Sequence, residues 1–253
     1  MIKFASLGSG SKGNATLVCS SDTLVLVDCG FSLRELERRL TCLDVSPQQL
    51  DAVLVTHEHS DHIKGVGSLS RRYKLPVHMT SGSQLNSRCG ELHDFRCIKH
   101  SEPFRVGDLQ VTPVAVPHDA REPCQFIFES ATRKLGVLTD LGIITPHILA
   151  LYQGCHGLLL EANHDSLMLS QGPYPPSLKA RVGSNWGHLN NLQAAEFLGA
   201  VDNRGLQQVV IGHISEKNNA LEKVQSAVNG NYFGTAQITY AEQHSPSAWF
   251  CID

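Results

Sequence analysis

A chain of 253 residues with 42% apolar and 18% charged side chains can bury a full core, which excludes a disordered or low-complexity protein. The formal net charge of −3 excludes a protein that coats nucleic acid through bulk positive charge, while leaving room for a local basic groove. No apolar run approaches the ~18 residues of a membrane span, and Met1-Ile-Lys-Phe-Ala-Ser-Leu7 is too short for a signal peptide, so a cytoplasmic protein is expected.

Short β-type runs predict strands at Lys3–Leu7, Ala15–Cys19 and Thr23–Val27, separated by turns, so the chain starts as a meander. Ser32-Leu-Arg-Glu35 is a capping box opening a helix with Leu36 and Leu40 on its apolar face. Strands follow at Ala52–Val55 and Pro76–Met79, with a helix over Ile63–Tyr73 between them. Further strands are expected at Leu109–Val116, Gln125–Glu129, Lys134–Leu138, Gly157–Glu161, Gln208–Ile211, Ala236–Tyr240 and Ala248–Ile252. Helices are expected at Thr145–Tyr152, Asn191–Val201 and Ser215–Val228. Residues Ser166 to Ala195 carry no Asp or Glu but do carry Lys179, Arg181 and three prolines, which reads as a long, irregular, mildly basic loop. The order suits an α/β (α+β) fold, a four-layered αββα sandwich in one domain spanning 1–253.

Gly8-Ser-Gly10-Ser-Lys-Gly13 has dinucleotide-motif spacing, but a strand follows it where a phosphate-binding helix would have to open. It reads as a tight glycine turn whose N–H groups could help hold an anion. None of the eight cysteines forms a C-x-x-C pair, and buried reduced thiols are expected rather than a zinc cluster or disulfides.

Thirteen histidines against five tyrosines invite a search for a metal site. The buried strand Asp51–Thr56 ends at His57-x-His59-x-Asp61-His62, four potential ligands that a turn can split between two ions: His57 and His59 on one, Asp61 and His62 on the other. Imidazole suits Zn, Mn or Fe, and each ion needs further donors. His118, Asp140 and His213 each end an apolar strand and are candidates, and a carboxylate such as Asp140 can bridge two ions.

Thr56-His-Glu-His-Ser-Asp-His62 matches the H-x-H-x-D-H signature of the metallo-β-lactamase superfamily, and Val27-Asp28-Cys-Gly30 resembles its first motif. The resemblance covers essentially the whole chain. It implies that His57, His59 and His118 hold one ion, that Asp61, His62 and His213 hold the other, that Asp140 bridges them, and that Asp28 supports the metal loop. β-Lactamases proper have a Cys where Asp140 stands, so antibiotic hydrolysis is not implied.

Glu161-Ala-Asn-His164-Asp165, Gly187-His188-Leu-Asn-Asn191, His213-Ile-Ser-Glu-Lys-Asn218-Asn219 and the N-terminal glycine turn look like the WalJ/YycJ-type branch of 5′-directed, metal-dependent DNA exonucleases. The Gly-His188 element is also similar to one in phosphoribosyl cyclic phosphodiesterases. Asn185-Trp186 departs from the basic residue expected before Gly-His, and Asn190 from the usual Ser. The resemblance implies a dinuclear phosphodiesterase, with two divalent ions (Zn or Mn) and a metal-bridging hydroxide as nucleophile. Asp61, His188 and His164 are the catalytic candidates, His188 stabilising phosphorane-like charge or protonating the leaving oxygen. Lys179, Arg181, Asn191 and Asn218 are candidate substrate contacts. DNA or a small phosphodiester is the expected partner, no membrane is, and oligomeric state, homodimer included, is left open. A cyclic ribose phosphate diesterase, a thioester or lactone hydrolase, and a metal-binding regulator without turnover are the rivals.

Overall fold

The computed structural model describes residues 1–202 and 204–253. β1 (Ile2–Gly8), β2 (Ala15–Cys19) and β3 (Leu24–Val27) form an antiparallel meander, followed by α1 (Leu33–Thr41). β4 (Ala52–Leu54), β5 (Pro76–Thr80) and β6 (Asp94–Ile98) extend the same sheet in parallel. α2 (Ser60–Ile63), α3 (Val66–Tyr73) and α4 (Ser81–Asn86) lie between them in the chain. The second sheet opens antiparallel with β7 (Phe104–Val106), β8 (Leu109–Ala115), β9 (Cys124–Ser130) and β10 (Arg133–Leu138). It turns parallel at β11 (Gly157–Glu161), β12 (Gln208–Gly212) and β13 (Gln237–Tyr240). α5 (Pro146–Leu151) precedes β11; α6 (Ser166–Gln171), α7 (Pro176–Val182) and α8 (Asn191–Ala200) precede β12; α9 (Leu221–Asn231) precedes β13. β14 (Phe250–Ile252) returns to pair antiparallel with β1.

The period-2 alternation of side chains turns these strands into layers. Val25 and Val27 of β3, Ala52 and Leu54 of β4, and Phe126 and Phe128 of β9 share one core between the sheets. The intervening Leu26 and Val53 face outward onto α1 and α3 with Leu36, Leu40 and Leu69. On the other sheet Leu158 and Leu160 face α8 and α9, packing with Leu198 and Val224. Each such buried leucine or phenylalanine contributes roughly 1.5–3 kcal/mol. The result is the expected four layers, helix–sheet–sheet–helix, with both sheets mixed.

Local differences have local causes. The helix expected over Ile63–Tyr73 is two, α2 and α3, interrupted at Lys64–Gly65, where Gly65 sits so close to the Phe31 carbonyl and Cys29 Sγ that a Cβ would collide. The helix expected from Ser215 starts only at Leu221. Ser215 Oγ accepts from the backbone of Lys217 and Asn218, and Asn219 Oδ1 from that of Ala220, which diverts the first six residues into turns. The expected irregular loop carries α6 and α7: Asp165 caps α6 through Met168 N, and Pro176, one of its three prolines, sits at the start of α7, where proline is favoured. β6 escaped the sequence reading because Phe95, Arg96 and Cys97 are all exposed and show no alternation. All eight cysteines are free thiols; Cys29, Cys124 and Cys155 are buried as expected, but Cys42, Cys97 and Cys251 are exposed. A strand, β2, follows the Gly8–Gly13 turn, as the rejection of a dinucleotide site required.

His78 of β5 is buried, stacked on Phe104 with ring centroids 4.7 Å apart, and its Nε2 has no hydrogen-bond partner. Burial, aided by the Arg96 charge, lowers its pKa to about 4 from 6.5. Its neutral form therefore contributes stability that is complete above pH 6.5 and is lost as pH falls towards 4. Between pH 7 and pH 5 this should remove about 1–2 kcal/mol. Urea titrations of wild type and His78→Phe at both pH values check it; an identical pH slope in the two would refute it.

Candidate metal centre

The candidate ligands cluster where the C-terminal ends of strands from both sheets meet. His57–His62 follows β4, His118 follows β8, Asp140 follows β10 and His213 follows β12. Asp28, Asp140 and His213 hold left-handed backbone angles (φ 59°, 53° and 52°), which lets each strand end break sharply and aim a side chain across the edge. Such angles cost non-glycine residues of order 1 kcal/mol or more and concentrate at functional sites. Gly30 admits the metal loop closely: a Cβ there would collide with the Asp61 carbonyl oxygen.

Three imidazoles converge first. His57 Nε2 lies 3.0 Å and His118 Nε2 3.3 Å from His59 Nδ1. Beside them His62 Nε2 is 3.3 Å from Asp140 Oδ2 and 3.6 Å from Asp61 Oδ2, and His213 Nε2 is 3.9 Å from Asp61 Oδ2. His57, His59 and His118 form one possible ligand group and Asp61, His62 and His213 another, while His57, His62 and Asp140 form a third that joins them. Asp140 Oδ2 and His213 Nε2 are buried without a hydrogen-bond partner. Orphans of that kind are costly in a folded protein. Lone pairs crowded together and left unpaired are what a divalent cation satisfies, so the donor set fits metal.

A surrounding shell aims these donors. Asp28 accepts from Thr56 N (2.8 Å) and Thr56 Oγ1 (2.8 Å), and its Oδ2 stands 2.8 Å from His62 Nδ1, turning Nε2 towards the aspartates. Glu161 Oε1 accepts from the backbone of Leu141 (2.9 Å) and Leu189 (3.1 Å), while Oε2 faces Nδ1 of His188 (3.1 Å) and of His213 (3.2 Å). His118 Nδ1 meets the Gly187 carbonyl at 3.0 Å. Asp28→Asn keeps the shape but weakens the hold on His62, and metal affinity should fall ~10–100-fold. Competition against a chelating dye measures this, and an unchanged affinity would show that Asp28 has no part in holding His62.

Charge is concentrated here. Burial works against a charged His213, but Asp140, Asp61 and Glu161 outweigh it and hold its pKa at about 10. Burial likewise opposes ionisation of Glu161, but His188 and its hydrogen bond, with that of His213, bring its pKa to about 2. On the all-imidazole side, burial lowers His57 well below its usual value and His118 to about 4, so both offer neutral lone pairs. The carboxylate side calls for positive charge, and the imidazole side is ready to coordinate it.

A cavity of about 360 Å³ opens over the cluster, lined by Asp61, Asp140, His188, His213, Asn163 and Arg181 among others. His188 stands in its wall as expected, but His164 does not. A parallel bridge pairs His164 with Asn190, and strand-like alternation points Asn163 into this cavity and His164 into another, which it shares with Lys179. Lys179 donates to the Ser170 carbonyl (2.7 Å), and Arg181 is ion-paired with Asp119. Asn191 is buried in a mutual amide pair with Asn219 (2.8 and 2.7 Å), and Asn218 is buried too, so neither side chain reaches the cavity. The sequence reading gave no role to Glu161 or Asp119. Glu161 had a signal: a charge ending the wholly apolar strand Gly157-Leu-Leu-Leu-Glu161.

The model of the Beta-lactamase superfamily domain matches residues 23–214, a span that takes in every one of these donors. The chain is 33% identical over 232 residues to exodeoxyribonuclease YycJ of Bacillus anthracis, covering 90% of this chain and 88% of that one. This protein belongs to the metallo-β-lactamase superfamily, in its WalJ/YycJ branch. Exodeoxyribonuclease WalJ of Streptococcus pneumoniae is 34% identical over 229 residues, covering 87% and 84% of the two chains. In fold this member of the branch is similar to YhfI of Bacillus subtilis (TM-score 0.74, 17% identity, 97% and 98% covered). Zn(2+)-bound PqqB of Methylobacterium extorquens is equally similar (TM-score 0.74, 16% identity, 97% and 99% covered). Membership makes it a metal-dependent hydrolase with a His/Asp cluster suited to divalent metal. Among the described residues no helix is long and apolar enough to cross a membrane.

Proposed function

We propose that the protein is a dinuclear phosphodiesterase that removes nucleotides from DNA ends, in the 5′ direction. The observation that carries this is the placing of Asp140 between two donor groups, its Oδ2 buried and unpaired, on the floor of a polar cavity. The names of the YycJ and WalJ relatives support DNA as the substrate. His57, His59 and His118 would hold one ion and Asp61, His62 and His213 the other, with Asp140 shared. Bound divalent ions supply activation of water at neutral pH and neutralisation of charge developing on phosphate oxygens.

The chain's own residues would bind, orient and move protons. Asp28 and Glu161 hold His62 and His213 in orientation through Nδ1, and with an ion on Nε2 they would fix the proton on Nδ1. His188 would serve proton transfer. With Nδ1 held by buried Glu161, Nε2 is the atom left for the cavity. A proton from Nε2 would go to the leaving oxygen as the P–O bond breaks. Of the sequence's substrate candidates, Arg181 alone lines the wall, with its charge shared with Asp119.

Duplex DNA labelled at the 5′ or the 3′ end, incubated with Mn²⁺ or Zn²⁺, tests the proposal with Asp61→Ala as control for contaminating nuclease. Mononucleotide released first from the 5′ label, and absent with the variant, is the expected result. Turnover of bis-p-nitrophenyl phosphate without DNA cleavage would move the substrate to a small diester, and inertness on both would sink the phosphodiesterase reading.

A further inference from the structure

The metal cavity does not end at His59. A second depression, of about 450 Å³, also has His59 and Ser60 in its lining, so the two adjoin across the turn that carries the ligands. Its far side is formed by Ile63, Lys64, Asn86 and Arg88. Lys64 and Arg88 are exposed, and neither forms an ion pair among the described residues, in contrast to Arg181. The acidic lining residue, Glu58, accepts through Oε1 from Asn86 Nδ2 (3.0 Å) and Arg121 N (2.8 Å), while its Oε2 is turned inward, buried without a hydrogen-bond partner. Both cations stand on backbone fixed to the site. Lys64 caps α2, the same helix that bears Asp61 and His62, roughly one ~5 Å turn beyond Ser60. The segment bearing Arg88 is pinned to α3: Gly67 leaves no room for a Cβ against the Cys89 carbonyl, and Arg71 donates to the carbonyls of Cys89 and Glu91.

We propose that this groove is a polynucleotide subsite, in which Lys64 and Arg88 hold backbone phosphates of nucleotides adjoining the one being cleaved. The inference rests on the nuclease reading and deepens it, because a small diester has no second phosphate to place there. Charges on fixed backbone beside the reacting centre position a strand without reading its sequence. They also mark the side of the metal cavity along which the strand runs, the side of His59 and Ser60.

The test compares wild type with Lys64→Gln/Arg88→Gln on a single-stranded oligonucleotide and on bis-p-nitrophenyl phosphate, across a salt series. For the oligonucleotide KM should rise ~10-fold or more with kcat little changed. The salt dependence of log(kcat/KM) should flatten by about 1–1.5, as expected for two lost phosphate contacts. The ratio of kcat/KM for oligonucleotide to that for the small diester should fall by a similar factor. Wild type that degrades DNA while the variant keeps the same KM and salt slope would overturn the groove and spare the nuclease. Equal losses on both substrates would also overturn it, since they would reflect damage to the metal loop. Wild type that turns over only the small diester would overturn the nuclease reading and the groove together.

Discussion

Asp140→Asn should lower turnover of DNA and of bis-p-nitrophenyl phosphate by about a thousandfold, with the protein still folded. The magnitude follows from what the proposal would remove: a carboxylate that would help hold two ions, whose stabilisation of charge in the transition state is worth several kcal/mol, and ~1.4 kcal/mol is tenfold in rate. Asparagine is the informative replacement, because it tolerates the left-handed angle at this position, whereas alanine would add backbone strain to the chemical change. The side chain is buried beside His57 and His62. The amide retains one oxygen for one donor group but loses the charge that would join the two. Metal analysis should therefore show bound ions falling from two towards one. A chelator should then lower the melting temperature of the variant less than that of wild type, since less binding free energy is withdrawn. Full metal content together with activity within tenfold of wild type would be incompatible with a bridging role.

The second large effect belongs to His188. His188→Ala should reduce kcat on DNA by ~10²–10⁴-fold, the range of a general acid, while leaving metal content and melting behaviour near wild type. Leaving groups separate the roles. p-Nitrophenolate departs without a proton, so loss on bis-p-nitrophenyl phosphate should be tenfold or less if His188 donates one to the leaving oxygen. Equal losses would mean that the imidazole stabilises charge on phosphorus, and loss of metal would make it a ligand. Glu161→Gln should resemble His188→Ala in part and weaken metal binding as well, because one carboxylate oxygen faces both His188 and His213.

What the sequence revealed of this site depended on how locally each part is encoded. His57, His59, Asp61 and His62 were legible because the metal loop is continuous in sequence, and His118, Asp140 and His213 because polar residues ending apolar strands are conspicuous. The four layers were legible because strands apolar on both faces, such as Leu24–Val27, must be covered on both. Glu161 was harder to read: its role arises only when β11, β12 and the Gly187–His188 turn are side by side. His164 was misplaced because sequence proximity to Glu161 says nothing about which face of a bridge a residue takes. Lys179 and Arg181 stood out as cations in a segment without acids, yet Arg181 finds Asp119 from a distant loop. Lys64 and Arg88 passed unnoticed since neither belongs to a motif, and their common groove exists only through the fold.

The ligands come from both sheets: His57 to His62 hang from the first, and His118, Asp140 and His213 from the second. An ion shared between those sets would be a removable cross-link, closing a chain loop as long as the one from Asp61 to His213. Because the unfolded chain does not keep the ion, the clasp acts by binding the folded state, and its contribution follows the free metal concentration. Metal supply would then govern how long a molecule survives proteolysis as well as how fast it turns over. Starvation for metal would show first as a parting of the sheets at this edge, with amide exchange quickening after β4, β10 and β12 while the cores beneath the helices stay protected.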